Sequence, residues 1–371
     1  MNLQKPSIGD KELRAVEKIF QSGWLGLGSS VKEFEDRLSD YLQSEYVVAV
    51  STGTAALHLA LHALGITEGD EVIFPSLTFV ATAQAVVACG ATPVFCDIEE
   101  STLNLDVDNV EKKITKKTKA IIPVHYRGMP CDMHKLKAIA RKHQIPIVED
   151  AAHAFGSKYN GKMIGTIGDI TCFSFDPIKN ITCGEGGAIV VKNKGLYKKL
   201  ISMRALGIDK DAWSRYKNKR SLDYDVKQLG FRYHMSNISA AIGLVQLQKV
   251  EKMNKRRNEI AKEYDDAFRD VPGLKIIKTN YDTTALFMYV LRVLNDRPGF
   301  IQFLSSKNIP TGIHYIPCHK FSFFRGSNFK LPITEKICKE IVTLPLYVDM
   351  KKEDVAGVIS AVKEYFSRYE K

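Results

Sequence analysis

Seven short apolar runs recur between residues 45 and 192, each bounded by turn residues: YVVAV (46–50), EVIFP (71–75), PVFCD (93–97), AIIPV (120–124), IPIVED (145–150), ITCFSF (170–175) and AIVVK (188–192). Runs of this length without polar alternation read as strands buried on both faces. The pieces between them are helical in period or rich in Ala and Leu: AALHLALHAL (55–64), FVATAQAVVAC (79–89) and DMHKLKAIARKH (132–143), the last with Asp132 at its N-cap. Strand alternating with helix predicts an α/β chain with a mostly parallel, helix-covered sheet.

The flanks differ. DKELRAVEKIFQSG and SSVKEFEDRLSDYL, separated by WLGLG, predict two amphipathic helices forming an entry arm. After the strand block, residues 235–268 carry apolar residues at helical spacing for roughly nine turns, long enough to pass from one domain to the next. With 371 residues, two domains are expected: an arm and large domain over 1–249, and a smaller α+β domain over 250–371. The second holds strand-like ALFMYVLRVL (285–294), a helix around 299–307, GIHYIP (312–317) and a final helix over 352–369.

The net charge of +11 suits an anionic partner without choosing one, and KKITKKTK, KNKGLYKK and KMNKRR read as solvated faces. No helix-turn-helix or zinc pattern supports nucleic-acid binding. Seven cysteines without a C-x-x-C pair fit reduced thiols in a cytoplasmic protein, and no metal site is expected. The longest apolar stretch is broken by Ser, Thr, Gly and two His, so no membrane span is expected. GLGSSV (26–31) lacks the third glycine of a dinucleotide fingerprint and follows no strand.

Four pieces of chemistry fall at strand ends. STGTAALHLAL (51–61) places a small-residue turn at the start of a helix, where the backbone of Gly53, Thr54 and Ala55 would cradle a phosphate. Asp150 ends the strand IPIVED, the end at which open parallel sheets bind ligands, with His153 close behind. Lys179 stands in CFSFDPIKNITCGEGGAIV, where a partly desolvated turn would favour the neutral amine and a Schiff base. Phe79, in PSLTFVATA, offers a flat ring. Each has a plain structural reading on its own: a tight turn, a cap, a surface lysine, a core ring. Together, with Ser174, they supply what pyridoxal phosphate requires: an amine for its aldehyde, a carboxylate for its ring nitrogen, an anion cradle and a stacking surface.

The order STGTAALHLAL, PSLTFVATA, PVHYRGMPCDM, VEDAAHAFGS, FSFDPIKNITCGEGGAIV, GFRYHMSNISAAIGLVQLQ, HYIPCH and LPLYVDM resembles the DegT/DnrJ/EryC1/StrS family of sugar aminotransferases along essentially the whole chain. The resemblance implies the fold-type-I aspartate aminotransferase architecture and a homodimer with shared active sites. It also implies amino transfer from L-glutamate, leaving 2-oxoglutarate, to a nucleotide-diphosphate keto sugar. It makes Lys179 the cofactor-bearing lysine, Asp150 the ring-nitrogen partner, and Ser174 with Gly53–Ala55 the phosphate ligands. His153 falls near the ring oxygen, and Asn237 reaches the phosphate of the neighbouring subunit. Glu185, His314, Tyr315 and His319 become candidate sugar contacts, and Arg232 a candidate for the diphosphate. NITCGEGG resembles the branch acting at C4 of the hexose, whereas the His-Tyr pair of GIHYIPCH is also met in the C3 branch; C4 is favoured. The same scaffold also serves sugar dehydratases, which replace the lysine with histidine, and ring-forming synthases. A non-enzymatic regulator is the remaining alternative.

Overall fold

The computed structural model describes residues 1–208, 224–324 and 329–367. All seven apolar runs are strands: β1 (Tyr46–Val50), β2 (Glu71–Pro75), β3 (Thr92–Cys96), β4 (Thr118–Ile121), β5 (Val148–Asp150), β6 (Ile170–Ser174) and β7 (Gly187–Val191). β2 runs parallel to β3 and β4, and β5 parallel to β6. Parallel bridges from Ile121 to Ile147 and from Val124 to Asp150 join the two groups. β7 is antiparallel to β6 and β1. The sheet order is therefore β3-β2-β4-β5-β6-β7-β1 with one reversed strand, the mostly parallel arrangement that the runs predict.

Successive residues of each strand serve opposite cores. Val48, Val50, Val72, Phe74, Ile189 and Val191 enter one apolar cluster, while Val47, Ala49, Ile73, Ala188 and Val190 enter another. Both faces are covered, which is why these strands tolerate no polar alternation. The arm helices are α1 (Asp10–Ser22) and α2 (Ser29–Leu42), followed by α3 (Gly53–Ala63), α4 (Val80–Ala88), α5 (Val107–Lys113), α6 (Met133–His143) and α7 (Lys194–Met203). Residues 55–61 of α3 are all buried, so this helix is apolar all round and sits inside the molecule with its N-terminus at the end of β1. Asp132 caps α6 as its spacing predicts, accepting from the Lys135 N–H at 3.1 Å.

The helical stretch expected over 235–268 is two helices, α8 (Asn237–Leu247) and α9 (Val250–Phe268), interrupted by a turn at Gln248 and Lys249. The cause is division of labour. α8 packs against α1 and α2, and its Gln246 Nε2 donates to the Ser7 carbonyl and to Glu12 Oε1, each at 2.8 Å. α9 carries Ile260, Tyr264 and Phe268 into a separate C-terminal core, and one straight rod cannot serve both.

That core lies against an antiparallel sheet of β8 (Leu274–Ile276), β9 (Tyr289–Val293) and β10 (Ile341–Leu344), with α10 (Arg297–Ser306) and α12 (Lys352–Ser367); α11 (Pro332–Ile337) precedes β10. Residues 368 and 369 of the expected final helix lie outside the described residues. GIHYIP forms no strand beyond a bridge from Gly312 to Thr343, and instead runs over the carboxyl ends of the main sheet. The seven cysteines are unpaired, and among the described residues no helix is long and apolar enough to cross a membrane.

Candidate active site

The carboxyl ends of β1, β2, β4, β5 and β6 converge on a cavity of about 280 Å³. β1 delivers Thr52, Gly53 and Thr54; β2, Thr78, Phe79 and Thr82; β5, Asp150 and His153; β6, Ser174, Asp176 and Lys179. Glu185 comes from the return into β7, and His314 and Tyr315 from the C-terminal segment. A larger open groove of about 1050 Å³ lies at the opposite, amino-terminal strand ends and holds none of these residues.

Asp150 is 5% exposed. Its Oδ2 accepts from Thr82 Oγ1 at 2.7 Å and its Oδ1 from the Ala152 N–H at 3.2 Å. Burial pushes its pKa up, opposed by these two hydrogen bonds and by the Lys179 charge. Thr82 is itself held by Thr78, hydroxyl to hydroxyl at 3.0 Å. Behind Asp150, Glu149 is fully buried, bonded to His125 Nε2 at 2.9 Å and accepting from Thr171 Oγ1 and the Gly168 N–H, each at 2.7 Å.

The Lys179 amine lies 4.3 Å from the centroid of the Phe287 ring. Burial lowers its pKa to about 8, against the opposing pull of Asp176 and then Asp150. The same ring stacks on His153 with centroids 4.4 Å apart, and Tyr315 Oη lies 2.9 Å from His153 Nε2. Burial, with the nearby Lys179 and His314 charges, holds His153 neutral, far below the usual imidazole range. Burial and Lys179 also take His314 down to about 4; its Nδ1 lies 2.8 Å from Thr343 Oγ1. Phe79, at 55% exposed, forms part of the rim with its ring 5.7 Å from that of Tyr315.

Three sequence assignments do not reach this pocket as expected. The Ala55 N–H is already taken by the N-cap, donating to Thr52 Oγ1 at 3.0 Å, so the helix N-terminus presents Gly53 and Thr54. Asn237, assigned to a neighbouring subunit's site and not to this one, is 2% exposed, and within its own chain it donates to the Trp24 carbonyl at 3.0 Å and accepts from the Val31 N–H at 3.3 Å. His319, expected as a sugar contact, is instead buried, with Nδ1 2.6 Å from Ser76 Oγ and Nε2 3.4 Å from Glu335. It pins the chain that carries His314 and Tyr315 and does not line the cavity. Arg232 is exposed, bridging through its backbone to Ala205. Thr82, Asp176 and Phe287 escaped the sequence reading. The first two lie within motifs already singled out, three residues after Phe79 and three before Lys179, whereas Phe287 carries no local signal.

The residues fit pyridoxal phosphate. A Cβ built on residue 53 would stand 2.7 Å from Ser174 Cβ and 3.0 Å from its Oγ, so only glycine leaves the helix start open against Ser174. The buried Nδ1 of His153 has no hydrogen-bond partner among the described residues, an acceptor or donor held ready inside the cavity. Amine, carboxylate, anion cradle and ring surface all open on the same space.

Comparison with known proteins agrees. The chain belongs to the DegT/DnrJ/EryC1/StrS aminotransferase family, which it matches over residues 6–363, and it is a pyridoxal-phosphate-dependent aminotransferase of the aspartate aminotransferase fold. It is 40% identical to the spore coat polysaccharide biosynthesis protein SpsC of Bacillus subtilis, over 97% of this chain and 95% of that one. Spr1654 of Streptococcus pneumoniae in its PMP form superposes with a TM-score of 0.93 at 32% identity, covering 99% of both chains, and the same protein is known in a PLP form. The sugar aminotransferase CalS13 of Micromonospora echinospora superposes at 0.91 with 31% identity, covering 98% of this chain and 99% of that one.

Proposed function

We propose that this sugar aminotransferase moves an amino group from L-glutamate to the keto group of a nucleotide-linked deoxy sugar, with the 4-keto sugar favoured over the 3-keto. One observation carries the reading: the Lys179 amine, the Asp150 carboxylate, the Gly53–Ser174 cradle and the unpartnered His153 Nδ1 open on a single cavity. The names SpsC, a polysaccharide biosynthesis protein, and CalS13, a sugar aminotransferase, support a sugar acceptor. The excess of 53 basic over 42 acidic residues suits a diphosphate. Glu185, of the ITCGEGG segment associated with C4 chemistry, lines the pocket.

Pyridoxal phosphate, when bound, supplies an aldehyde and an electron-accepting ring. Everything else falls to the chain. The N–H groups of Gly53 and Thr54, which have no intrahelical acceptor, and Ser174 Oγ anchor the phosphate. Asp150, oriented by Thr82 and Ala152, presents a carboxylate where burial makes an unpaired negative charge costly, so a positive ring nitrogen is its natural partner. Lys179, with a pKa near 8, is in part a neutral amine at physiological pH and can carry a proton away from the donor's Cα and return it. His153, neutral and backed by Tyr315, holds a hydrogen bond without adding charge. Phe79, Ile178 and Ile316 leave apolar surface exposed near the pocket, surface that a second copy of the chain would cover; the enzyme is read as a homodimer.

The test is a panel of UDP-, GDP- and dTDP-linked 3-keto and 4-keto sugars with glutamate, with products identified by mass and NMR. Formation of 2-oxoglutarate with a 4-amino sugar is expected; amination confined to 3-keto substrates overturns the C4 assignment, and no amination of any nucleotide sugar overturns the acceptor class.

A further inference from the structure

Asp176 lies within the lysine motif but was given no role there, and it begins the turn that delivers the reactive lysine. Its backbone carbonyl accepts the Lys179 N–H at 3.1 Å, and its Oδ1 accepts the Ile178 N–H at 3.1 Å. The side chain therefore closes an Asx turn inside the peptide loop that the main chain closes around it. From there the carboxylate borders the same cavity as the amine.

We propose that Asp176 is a positioning residue for Lys179: its side chain fixes the 176–179 turn, and its charge holds the lysine amine at the cavity floor before any cofactor arrives. The inference rests on Lys179 as the cofactor-bearing amine. The titratable groups that share the cavity with this amine are Asp150, His153, Asp176, Glu185, His314 and Tyr315. His153 and His314 are held neutral by burial, and burial pushes Tyr315 well above its ordinary range, so the hydroxyl stays protonated. Glu185 is raised by burial and then by Asp176 itself. Asp176 is the leading charge opposing burial at Lys179, ahead of Asp150. Asp150 has a second task, facing the ring nitrogen, whereas Asp176 is free to serve the amine.

The experiment uses the full-length chain freed of cofactor. Lys179 is labelled competitively with acetic anhydride across pH 6–10, and the peptide carrying it is quantified by mass spectrometry. Asp176→Asn keeps an oxygen for the Ile178 N–H and removes only the charge. Its labelling profile is expected to move down by at least about half a unit, a roughly threefold faster reaction at pH 7. Asp176→Glu, which restores the charge, is expected to return the profile at least halfway to the parent. An Asn variant superimposable on the parent, or a Glu variant as displaced as Asn, overturns the proposal. Because the anhydride needs only the amine, this outcome is independent of cofactor capture, which a borohydride-trapped adduct at Lys179 reports separately.

Discussion

Replacing Thr82 with valine removes the side-chain hydrogen bond to the acid beneath the ring site together with the one to Thr78, and only the first involves a titrating group. Thr82 is 1% exposed and valine matches its shape, so the change removes a hydroxyl with little change of volume. That hydroxyl is the partner of Asp150 Oδ2 at 2.7 Å, while the remaining backbone bond from Ala152 goes to Oδ1. Oδ2 is left bare, and a hydrogen bond to a buried charge is worth ~1.5–3 kcal/mol. The sign follows from the direction of the shift. Asp150 has a folded pKa above its ordinary 3.8, raised first by burial, so its ionisation counts against the folded state, a cost absent at low pH and complete above the folded pKa. Thr82 reduces that cost. The valine variant, freed of cofactor, should therefore lose little stability in acid and progressively more as pH rises, reaching ~1.5–3 kcal/mol once Asp150 is ionised. Urea denaturation at half-unit steps from pH 4.5 to 8 measures this, with Thr82→Ser, which keeps the hydroxyl, as control. A deficit equal at every pH would mean that only packing was lost, and would refute the assignment of Thr82 to the Asp150 charge.

Lys179→Ala should abolish amino transfer while the far-UV circular dichroism and melting transition of the protein persist; measurable turnover above background refutes the role of the amine. Gly53→Ala drives a methyl to 2.7 Å from Ser174 Cβ, so the helix start and β6 must part. Fluorescence titration should show pyridoxal phosphate bound at least tenfold more weakly, with pyridoxal lacking the phosphate much less affected. His314, at about 4 against an ordinary 6.5, binds protons more readily unfolded than folded. It should thus contribute instability on the order of 3 kcal/mol that appears as pH falls from 6.5 toward 4. In His314→Gln, with the cofactor removed, that part of the stability profile should flatten; an unchanged slope refutes it.

The sheet was legible in the sequence because its strands are buried on both faces, which leaves short apolar runs such as AIVVK bounded by turn residues. The proposed cofactor pocket has a related origin: in an open parallel sheet the chemistry sits at and just past the carboxyl ends of strands, and Asp150, Ser174 and Lys179 lie at or just after the ends of runs already identified. What escaped was decided by tertiary partners. The spacing of 235–268 continues across Lys249 although the helix does not, because the break answers to where α8 and α9 each bury a face. Ala55 and His319 were placed near ligand, and both are spent on the chain itself, on Thr52 and on Ser76. Phe287 could not be found locally, since it meets Lys179 from more than a hundred residues downstream.

The electrostatics explain why such a pocket is built to receive something. Burial drives Lys179 downward and Asp150 upward, each toward its uncharged form, although the two have opposite charges and share one cavity. Were they a mutually satisfied ion pair, the shifts would have the reverse signs, the lysine higher and the acid lower. No ion pair joins them among the described residues; the amine rests over the Phe287 ring and the acid on Thr82. Neither charge is satisfied by the other: Asp176 offsets part of the burial at Lys179, and only the Thr82 hydroxyl and the Ala152 N–H attend Asp150. A ligand that offers a positive nitrogen to the acid and consumes the amine's nitrogen in a bond relieves both at once. It is therefore expected to raise the melting temperature of the parent by more than the sum of what remains in the Lys179→Ala and Asp150→Ala variants, because either half alone leaves the other charge stranded.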